Sequence, residues 1–208
     1  RFPDRRHTVH NQATLVACLG IPVEDMSLRI VVAPEARQRL TDRLLTACVS
    51  SEGYIVLQPT ATFPSKQWAA ERFVSVGLRL QERTSRNVVV SLPKETRRVS
   101  SRPGDPLRRR LRGIDQPVDV AAIEKALSPS FPVLRGLTLP EMMALMENAA
   151  LYVGNDSGPM HVAAALGTPV VGIFGSSNPD RWHPWAVAHR RLWAGLDCSP
   201  CHGKYCIN

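Results

Sequence analysis

The stretch from residue 151 to residue 175, LYVGNDSGPMHVAAALGTPVVGIFG, constrains the fold more than any other part of the sequence. Two runs rich in β-branched residues flank a segment of small residues with helical character, which predicts a strand–helix–strand unit. Other β-branched runs alternate with helical patterns along the chain. The runs lie at 28–32, 54–58, 87–91 and 131–134, and the helical patterns lie at 34–47, 68–83 and 139–149. This alternation predicts an α/β fold, with a Rossmann-like parallel sheet and helices on both faces.

The turn between the first strand and the helix of this unit has the sequence GNDSGP, and a histidine follows in the first helical turn. The first N–H groups of a helix have no partner within it and carry partial positive charge, so they stabilise a bound anion. Ligands of open α/β sheets bind at the carboxyl ends of strands, where this turn lies. Asp156, Ser157, Gly158 and His161 are therefore candidates for an anion site. The same residues also make an ordinary helix start, with Ser157 or Asp156 as the N-cap.

The charge balance favours an anionic partner. The 208 residues include 26 basic and 18 acidic ones, a net charge of +8. Aromatic residues make up only 6% of the chain, too few to suggest stacking platforms, so nucleic acid is not an expected partner. Residues 93–118 are rich in Pro, Gly and Arg and are predicted to form an exposed loop. The triple arginine at 108–110 fits a solvated face, or a surface that approaches an anionic lipid or substrate.

Three of the five cysteines lie near the end of the sequence, as Cys198, Cys201 and Cys206. An odd number of cysteines argues against a complete disulfide framework. The three thiolates and His202 make a candidate zinc site. Adjacent residues such as Cys201 and His202 seldom bind one ion together, however, so a structural tail without metal is the favoured interpretation. No resident metal or cofactor is expected.

Residues 154–185, GNDSGPMHVAAALGTPVVGIFGSSNPDRWHPW, resemble the signature of glycosyltransferase family nine, the ADP-heptose:lipopolysaccharide heptosyltransferases. A second block, IVLQPTATFPSKQWAAERF, resembles the family's strand and turn before a helix, although Ala69 replaces the usual proline. The resemblance covers residues 50–185 and extends loosely to both ends. It implies the carboxy-terminal half of a GT-B glycosyltransferase. The expected divisions are a lead-in segment (1–27), a nucleotide-sugar-binding domain (28–185) and a tail (186–208).

The resemblance implies a donor site residue by residue. Thr62 and Lys66 would meet the diphosphate, and Glu95 would accept hydrogen bonds from ribose hydroxyls. Glu95 follows Ser91-Leu92-Pro93-Lys94 in place of the family's usual Gly-Gly, which puts its role in doubt. The backbone of Leu137 would contact the base. Asp156, Ser157, Gly158 and His161 would hold the diphosphate and the sugar. The catalytic base is expected in an amino-terminal domain that these residues do not contain.

The resemblance implies inverting transfer of a heptose-like sugar from an ADP-heptose-like donor to a lipopolysaccharide-core or related glycan or glycolipid acceptor. It implies a cytoplasmic protein, with the inner face of a bacterial plasma membrane as a further expected contact. An alternative is a nucleotide-binding domain that kept the fold without transferase activity. A flavodoxin-like oxidoreductase is disfavoured, because no Gly-x-Gly-x-x-Gly follows a strand.

Overall fold

The computed structural model describes residues 6–94 and 118–201, which form a six-stranded parallel sheet with helices on both faces. The strands are β1 (Ile55–Gln58), β2 (Val88–Leu92), β3 (Val133–Arg135), β4 (Leu151–Asn155), β5 (Val170–Phe174) and β6 (His189–Trp193). The helices are α1 (Thr8–Ala17), α2 (Pro34–Thr46), α3 (Ala70–Thr84), α4 (Val120–Leu127), α5 (Leu139–Glu147), α6 (Gly158–Ala165) and α7 (Pro179–Trp182), and Pro64–Lys66 form a 3₁₀ turn. Among the described helices, none has the length and apolar composition that crossing a bilayer requires.

The strand order creates a crevice at the centre of the sheet. The strands lie in the order β3-β2-β1-β4-β5-β6, and all neighbours are parallel. The chain builds outward from β1 to β3, then returns to the other side of β1 to add β4, β5 and β6. The loops that follow β1 and β4 therefore run in opposite directions and separate, which opens a ligand-binding crevice at the carboxyl ends of these two strands.

Each face of the sheet has its own apolar core, which confirms the predicted Rossmann-like arrangement. Because side chains alternate along a strand, successive residues of β1 supply opposite cores. Val56 joins the core under α2, α5 and α6. Leu57 joins the core under α3 and α4, where Phe73 is fully buried. This layering orients α6 so that it begins at the central crevice.

The strands expected at 54–58, 87–91, 131–134, 151–154 and 170–174 are confirmed with small shifts of their ends. The strand expected at 28–32 is wrong. Its residues have no ladder partner among the described residues, and of the five only Val32 is buried. A β-branched run becomes a strand only when another strand pairs with it, which this segment lacks.

β6 was not expected, because its sequence HRRLW lacks an apolar run. As an edge strand it is mostly exposed and pairs with β5 alone, so its charged residues remain solvated. The sheet thus continues past residue 185, into the segment that the sequence analysis separates as a tail. The domain boundaries themselves stay predictions.

Candidate active site

Lys66 reaches the end of β4 from the loop after β1. This loop runs from Pro59 to Ala69 and includes the 3₁₀ turn that ends at Lys66. The ammonium nitrogen of Lys66 lies 2.6 Å from Oδ2 of Asp156, and both side chains are largely withdrawn from solvent. The two strands on either side of the central crevice are therefore joined by an ion pair above their carboxyl ends.

Asp156 is the first residue after β4, and it is only 3% exposed. A buried carboxylate is costly unless charged or polar groups compensate it. The Ser177 hydroxyl donates a hydrogen bond to the same Oδ2 that Lys66 contacts. Asp156 is thus held between a cation and a hydroxyl, and it holds Lys66 in place in turn.

The amino terminus of α6 points into the same crevice. Ser157 occupies the N-cap position, but its side chain makes no capping hydrogen bond and donates instead to the Asn155 carbonyl at 3.1 Å. The prediction of Ser157 as the N-cap residue is confirmed, although its side chain does not cap the helix. The start of α6 lacks a side-chain cap; because Pro159 has no N–H and the Met160 amide donates to the Ser157 carbonyl at 3.1 Å, the Gly158 amide is the backbone donor there that is suited to an anion.

His161 lies one turn into α6, with Nε2 3.9 Å from Oδ1 of Asp156. Its ring packs edge-on against Trp182, at 6.2 Å between centroids. Burial lowers the pKa of His161, while the charge of Asp156 opposes this shift and that of Lys66 adds to it. The imidazole is therefore neutral at neutral pH and gains a proton most readily when further negative charge arrives.

A cavity of about 500 Å³ opens beside this cluster. It extends from the start of α6 across the ends of β1 and β2 to the loop between β3 and α5, and Ser157, Gly158, Thr62 and Leu137 all line it. Of the sequence-predicted residues, these four surround the cavity, and Lys66, Asp156 and His161 form the charged cluster next to it. Glu95 lies outside the described residues, so its predicted role stays a prediction.

Three polar contacts that sequence reasoning missed hold the Lys66 loop in position. Asn155 is fully buried; its Oδ1 accepts from the Trp68 amide at 3.1 Å and its Nδ2 donates to the Pro59 carbonyl at 2.8 Å. The hydroxyls of Ser65 and Ser176 lie 2.9 Å apart. Asn155 has one sequence signal, its place at the end of a buried strand beside Asp156.

The cysteine segment makes no metal cluster within the described part of the chain. Cys198 and Cys201 are exposed with free thiols, and residues 6–94 and 118–201 contain no group of three metal-ligating side chains. Cys206 lies outside the described residues. The carboxy-terminal segment is nevertheless anchored to the site, because the Cys201 amide donates to the Ser176 carbonyl at 2.8 Å and the Ser199 hydroxyl donates to the Gly175 carbonyl at 2.9 Å.

A cation and a neutral imidazole therefore lie beside the uncapped start of α6, which borders a cavity with largely apolar walls. The charged cluster suits a diphosphate, which Lys66 and the start of α6 would stabilise. The remaining cavity is large enough for a nucleoside. Asp156 is poorly suited to act as a general base here, because Lys66 and Ser177 share its Oδ2 and solvent barely reaches it.

Comparisons with known proteins identify the family of the chain. Residues 2–208 match the family model for glycosyltransferase family 9 (heptosyltransferase). The chain is 27% identical over 194 residues to lipopolysaccharide heptosyltransferase 3 of Escherichia coli, an alignment that covers 91% of this chain and 50% of that protein. Lipopolysaccharide heptosyltransferase 1 of Pseudomonas aeruginosa is 34% identical over 74 residues, which are 36% of this chain and 21% of that protein.

A crystal structure of a family 9 glycosyl transferase from Veillonella parvula superposes with a TM-score of 0.69 at 25% identity, over 91% of this chain and 50% of the other. The chain spans about half the length of the curated relatives it matches over most of its length. The match to the family model extends over nearly the whole sequence and includes every residue of the site. The chain belongs to glycosyltransferase family 9, the heptosyltransferase family.

Proposed function

We propose that this chain is the donor-binding half of a GT-B glycosyltransferase that moves a heptose-like sugar from an ADP-heptose-like nucleotide sugar to a lipopolysaccharide-core glycan. The observation that carries the proposal is the position of Lys66 and His161 beside the uncapped start of α6, which borders the cavity at the central crevice. Family membership supports the transferase chemistry, and the names of the relatives support heptose and lipopolysaccharide.

In the proposed reaction, an acceptor hydroxyl attacks the anomeric carbon of the donor, and the bond from that carbon to the diphosphate oxygen breaks. A carboxylate base takes the hydroxyl proton, and the electron pair of the broken bond leaves with the nucleoside diphosphate. Inversion follows from attack on the face opposite the leaving group. Positive groups aimed at the leaving oxygen lower the barrier, because negative charge develops there in the transition state.

The residues of this chain act on the leaving group. Lys66 exchanges its contact with Asp156 for the diphosphate, the Gly158 amide at the start of α6 holds a phosphate oxygen, and His161 takes up a proton as negative charge accumulates. The base belongs to an amino-terminal domain, in keeping with the engagement of Asp156 by Lys66 and Ser177. The same proposal places the enzyme at the inner face of the plasma membrane, where the net charge of +8 would favour contact with anionic lipid.

The test is a calorimetric titration of the 208-residue chain with ADP, UDP, GDP and NAD. ADP is expected to bind most tightly, and Lys66→Ala is expected to weaken it by about 10- to 100-fold, because a charge-assisted contact to phosphate is lost. Lys125→Ala, which removes an exposed lysine of α4, is the matched control and should leave the affinity unchanged.

Two results would contradict the proposal. Absence of binding for all four nucleotides would exclude the donor site. Sugar transfer by the isolated chain, measured with a nucleotide-heptose donor and a lipopolysaccharide-core acceptor, would contradict the placement of the base in another domain.

A further inference from the structure

Gln58 is a polar residue at the floor of the cavity that the proposed function does not use. It is the last residue of β1, and it lies on the same face of the sheet as Val56 because side chains alternate along a strand. Gln58 is only 5% exposed, and its side chain lines the cavity. A polar side chain buried at this depth is expected to have all of its hydrogen-bonding groups paired.

Only one end of the Gln58 amide is paired. Its Nε2 donates to the hydroxyl oxygen of Thr60 at 2.7 Å. Its Oε1 is buried and accepts no hydrogen bond from any of the described residues. Because Nε2 donates to Thr60, Oε1 is left as an acceptor without a donor, an arrangement that is unfavourable until a donor arrives.

The neighbouring strand brings a second buried polar group, the Tyr152 hydroxyl, to the same level. Gly154 of β4 is in register with Gln58. A Cβ on Gly154 would lie 2.6 Å from the Tyr152 hydroxyl oxygen and 2.8 Å from the backbone carbonyl oxygen of Gln58. The missing side chain at Gly154 therefore gives the buried Tyr152 hydroxyl room beside the end of β1.

Apolar residues also line the cavity. Leu137, Leu139 and Met142 present apolar side chains from the loop after β3 and the start of α5. Binding pockets of this kind orient a ligand through a few polar groups set among apolar ones. A nucleoside in the cavity would bury its ring against these walls and be oriented by the polar atoms at the floor.

We propose that the Gln58 side chain turns toward the cavity when a nucleotide binds, so that Oε1, which is buried in this structure, accepts a hydrogen bond from the nucleoside part of the donor and determines specificity. This inference rests on the proposed nucleotide-binding function. The shared chemistry is a hydrogen-bond donor on the nucleoside, supplied either by an exocyclic amine of the base or by a ribose hydroxyl. A nucleotide that lacks this donor leaves the Gln58 oxygen unpaired and binds more weakly.

The test compares four nucleotides on the full chain by calorimetry: ADP, inosine diphosphate, 2′-deoxy-ADP and 3′-deoxy-ADP. Inosine diphosphate replaces the base amine by a carbonyl oxygen, and the two deoxy compounds each remove one ribose hydroxyl. We expect one analogue to bind the wild-type chain about tenfold or more weakly than ADP, and the identity of this analogue tells which group Gln58 binds.

Gln58→Met keeps the length of the side chain and removes the acceptor. The variant is expected to bind ADP and the discriminated analogue with affinities within about twofold of each other, because neither ligand then finds a hydrogen-bond partner. Gln38→Met, the same substitution at an exposed residue of α2, is the matched control and should keep the wild-type ratios. Thermal unfolding of each variant establishes that it is folded.

Thr60→Val provides a second variant if Gln58→Met does not fold. It removes the oxygen that accepts from Nε2 of Gln58, so the amide loses its anchor and the discrimination is expected to fall. Equal binding of all four nucleotides to the wild type would overturn the inference. Unchanged ratios in Gln58→Met, or an equal loss for all four ligands, would overturn it as well. A wild type that binds none of the four overturns the proposed function, and this inference with it.

Discussion

At the scale of single residues, the site depends on how one buried carboxylate is compensated. Asp156 contacts Lys66 at 2.6 Å, accepts from Ser177 and faces His161 at 3.9 Å. Before a ligand binds, Lys66 is thus already at the mouth of the cavity and ordered by Asp156. A diphosphate would bind a lysine whose rotamers are already restricted, and this restriction reduces the entropic cost of binding.

The pH dependence of nucleotide binding is a prediction about His161. Burial lowers the pKa of this imidazole, so it is neutral before the ligand arrives, and an incoming diphosphate raises the pKa by its negative charge. Binding then takes up a proton, and ADP affinity is expected to rise as the pH falls from about 8 to about 6. His161→Gln keeps a hydrogen-bonding side chain that does not titrate, so its affinity should vary less over the same range.

The measurement is the dissociation constant against pH for both proteins, with proton uptake measured by calorimetry in buffers of different ionisation enthalpy. Titration of the nucleotide itself is common to both proteins and cancels in the comparison. Asp156, Lys66 and His183 remain in place in the variant, so they cancel as well. The same slope in His161→Gln as in the wild type would show that another group takes up the proton.

At the scale of elements, the loop between β1 and α3 is fastened to both strands on the far side of the crevice. Asn155 at the end of β4 bonds to the backbone of Pro59 and Trp68, at the two ends of the loop. After β5, the Ser176 amide donates to the Ser65 carbonyl at 3.2 Å. Lys66 therefore sits in a loop whose position depends on contacts with the ends of β4 and β5.

Because Gly175 has no side chain, the segment after β5 can approach Ser65 closely, and a substitution at this position tests the contact. A Cβ at position 175 would collide with the backbone carbonyl oxygen of Ser65 and approach the Cα of Lys66. Gly175→Ala is expected to destabilise the chain by about 1–3 kcal/mol through overpacking, measured by urea unfolding. Displacement of Lys66 should also weaken ADP binding by about tenfold.

The control for Gly175→Ala is Gly158→Ala, because a Cβ at position 158 would meet no atom within 4 Å. Its free energy of unfolding should stay close to that of the wild type. If Gly175→Ala unfolds at the same urea concentration as the wild type, the loop can move away from the new Cβ without loss of stability, and the prediction is wrong.

At the scale of the whole molecule, α1 is attached to the rest of the described structure through an aromatic and histidine cluster. None of the residues of α1 is buried. His7, its N-cap, is buried, and its ring stacks on Trp185 with centroids 4.6 Å apart. Nε2 of His7 lies 2.8 Å from the His183 carbonyl oxygen, and Nδ1 accepts from the Val9 amide at 3.2 Å.

Stability is therefore predicted to fall in mild acid. Burial lowers the pKa of His7 and of His183 below the value of about 6.5 that an unfolded histidine has. The unfolded chain consequently binds protons first as the pH falls through this value. The free energy of unfolding is at its full value above about pH 6.5 and decreases below it. A proton on Nδ1 of His7 would also abolish the hydrogen bond from Val9 that caps α1.

The measurement is urea unfolding at a series of pH values. His7→Asn keeps an acceptor for the Val9 amide and does not titrate, so the loss of stability in acid should be smaller in this variant. Cys18→Ser, a change at an exposed residue just after α1, should retain the wild-type dependence. An acid dependence as steep in His7→Asn as in the wild type would assign the effect to other groups.

Much of this protein was predictable because the relevant patterns are local. A strand or an amphipathic helix is encoded by neighbouring residues, so the alternation of β-branched runs and helical segments was enough to predict the parallel sheet. The turn GNDSGP followed by His161 was predictable in the same way, since a strand end and a helix start lie within a few residues of each other. The segment 28–32 shows the limit, because its β-branched residues found no partner strand.

The sequence by itself thus determined the fold class and the residues at the mouth of the crevice. Only the tertiary structure decided what these residues contact. The hydrogen bond from Ser177 to Asp156, the closeness of Gly175 to Ser65 and the unpaired oxygen of Gln58 all depend on segments that are distant along the chain. Contacts of this kind arise from the packing of whole strands and loops, which sets distances that no local pattern of residue types encodes.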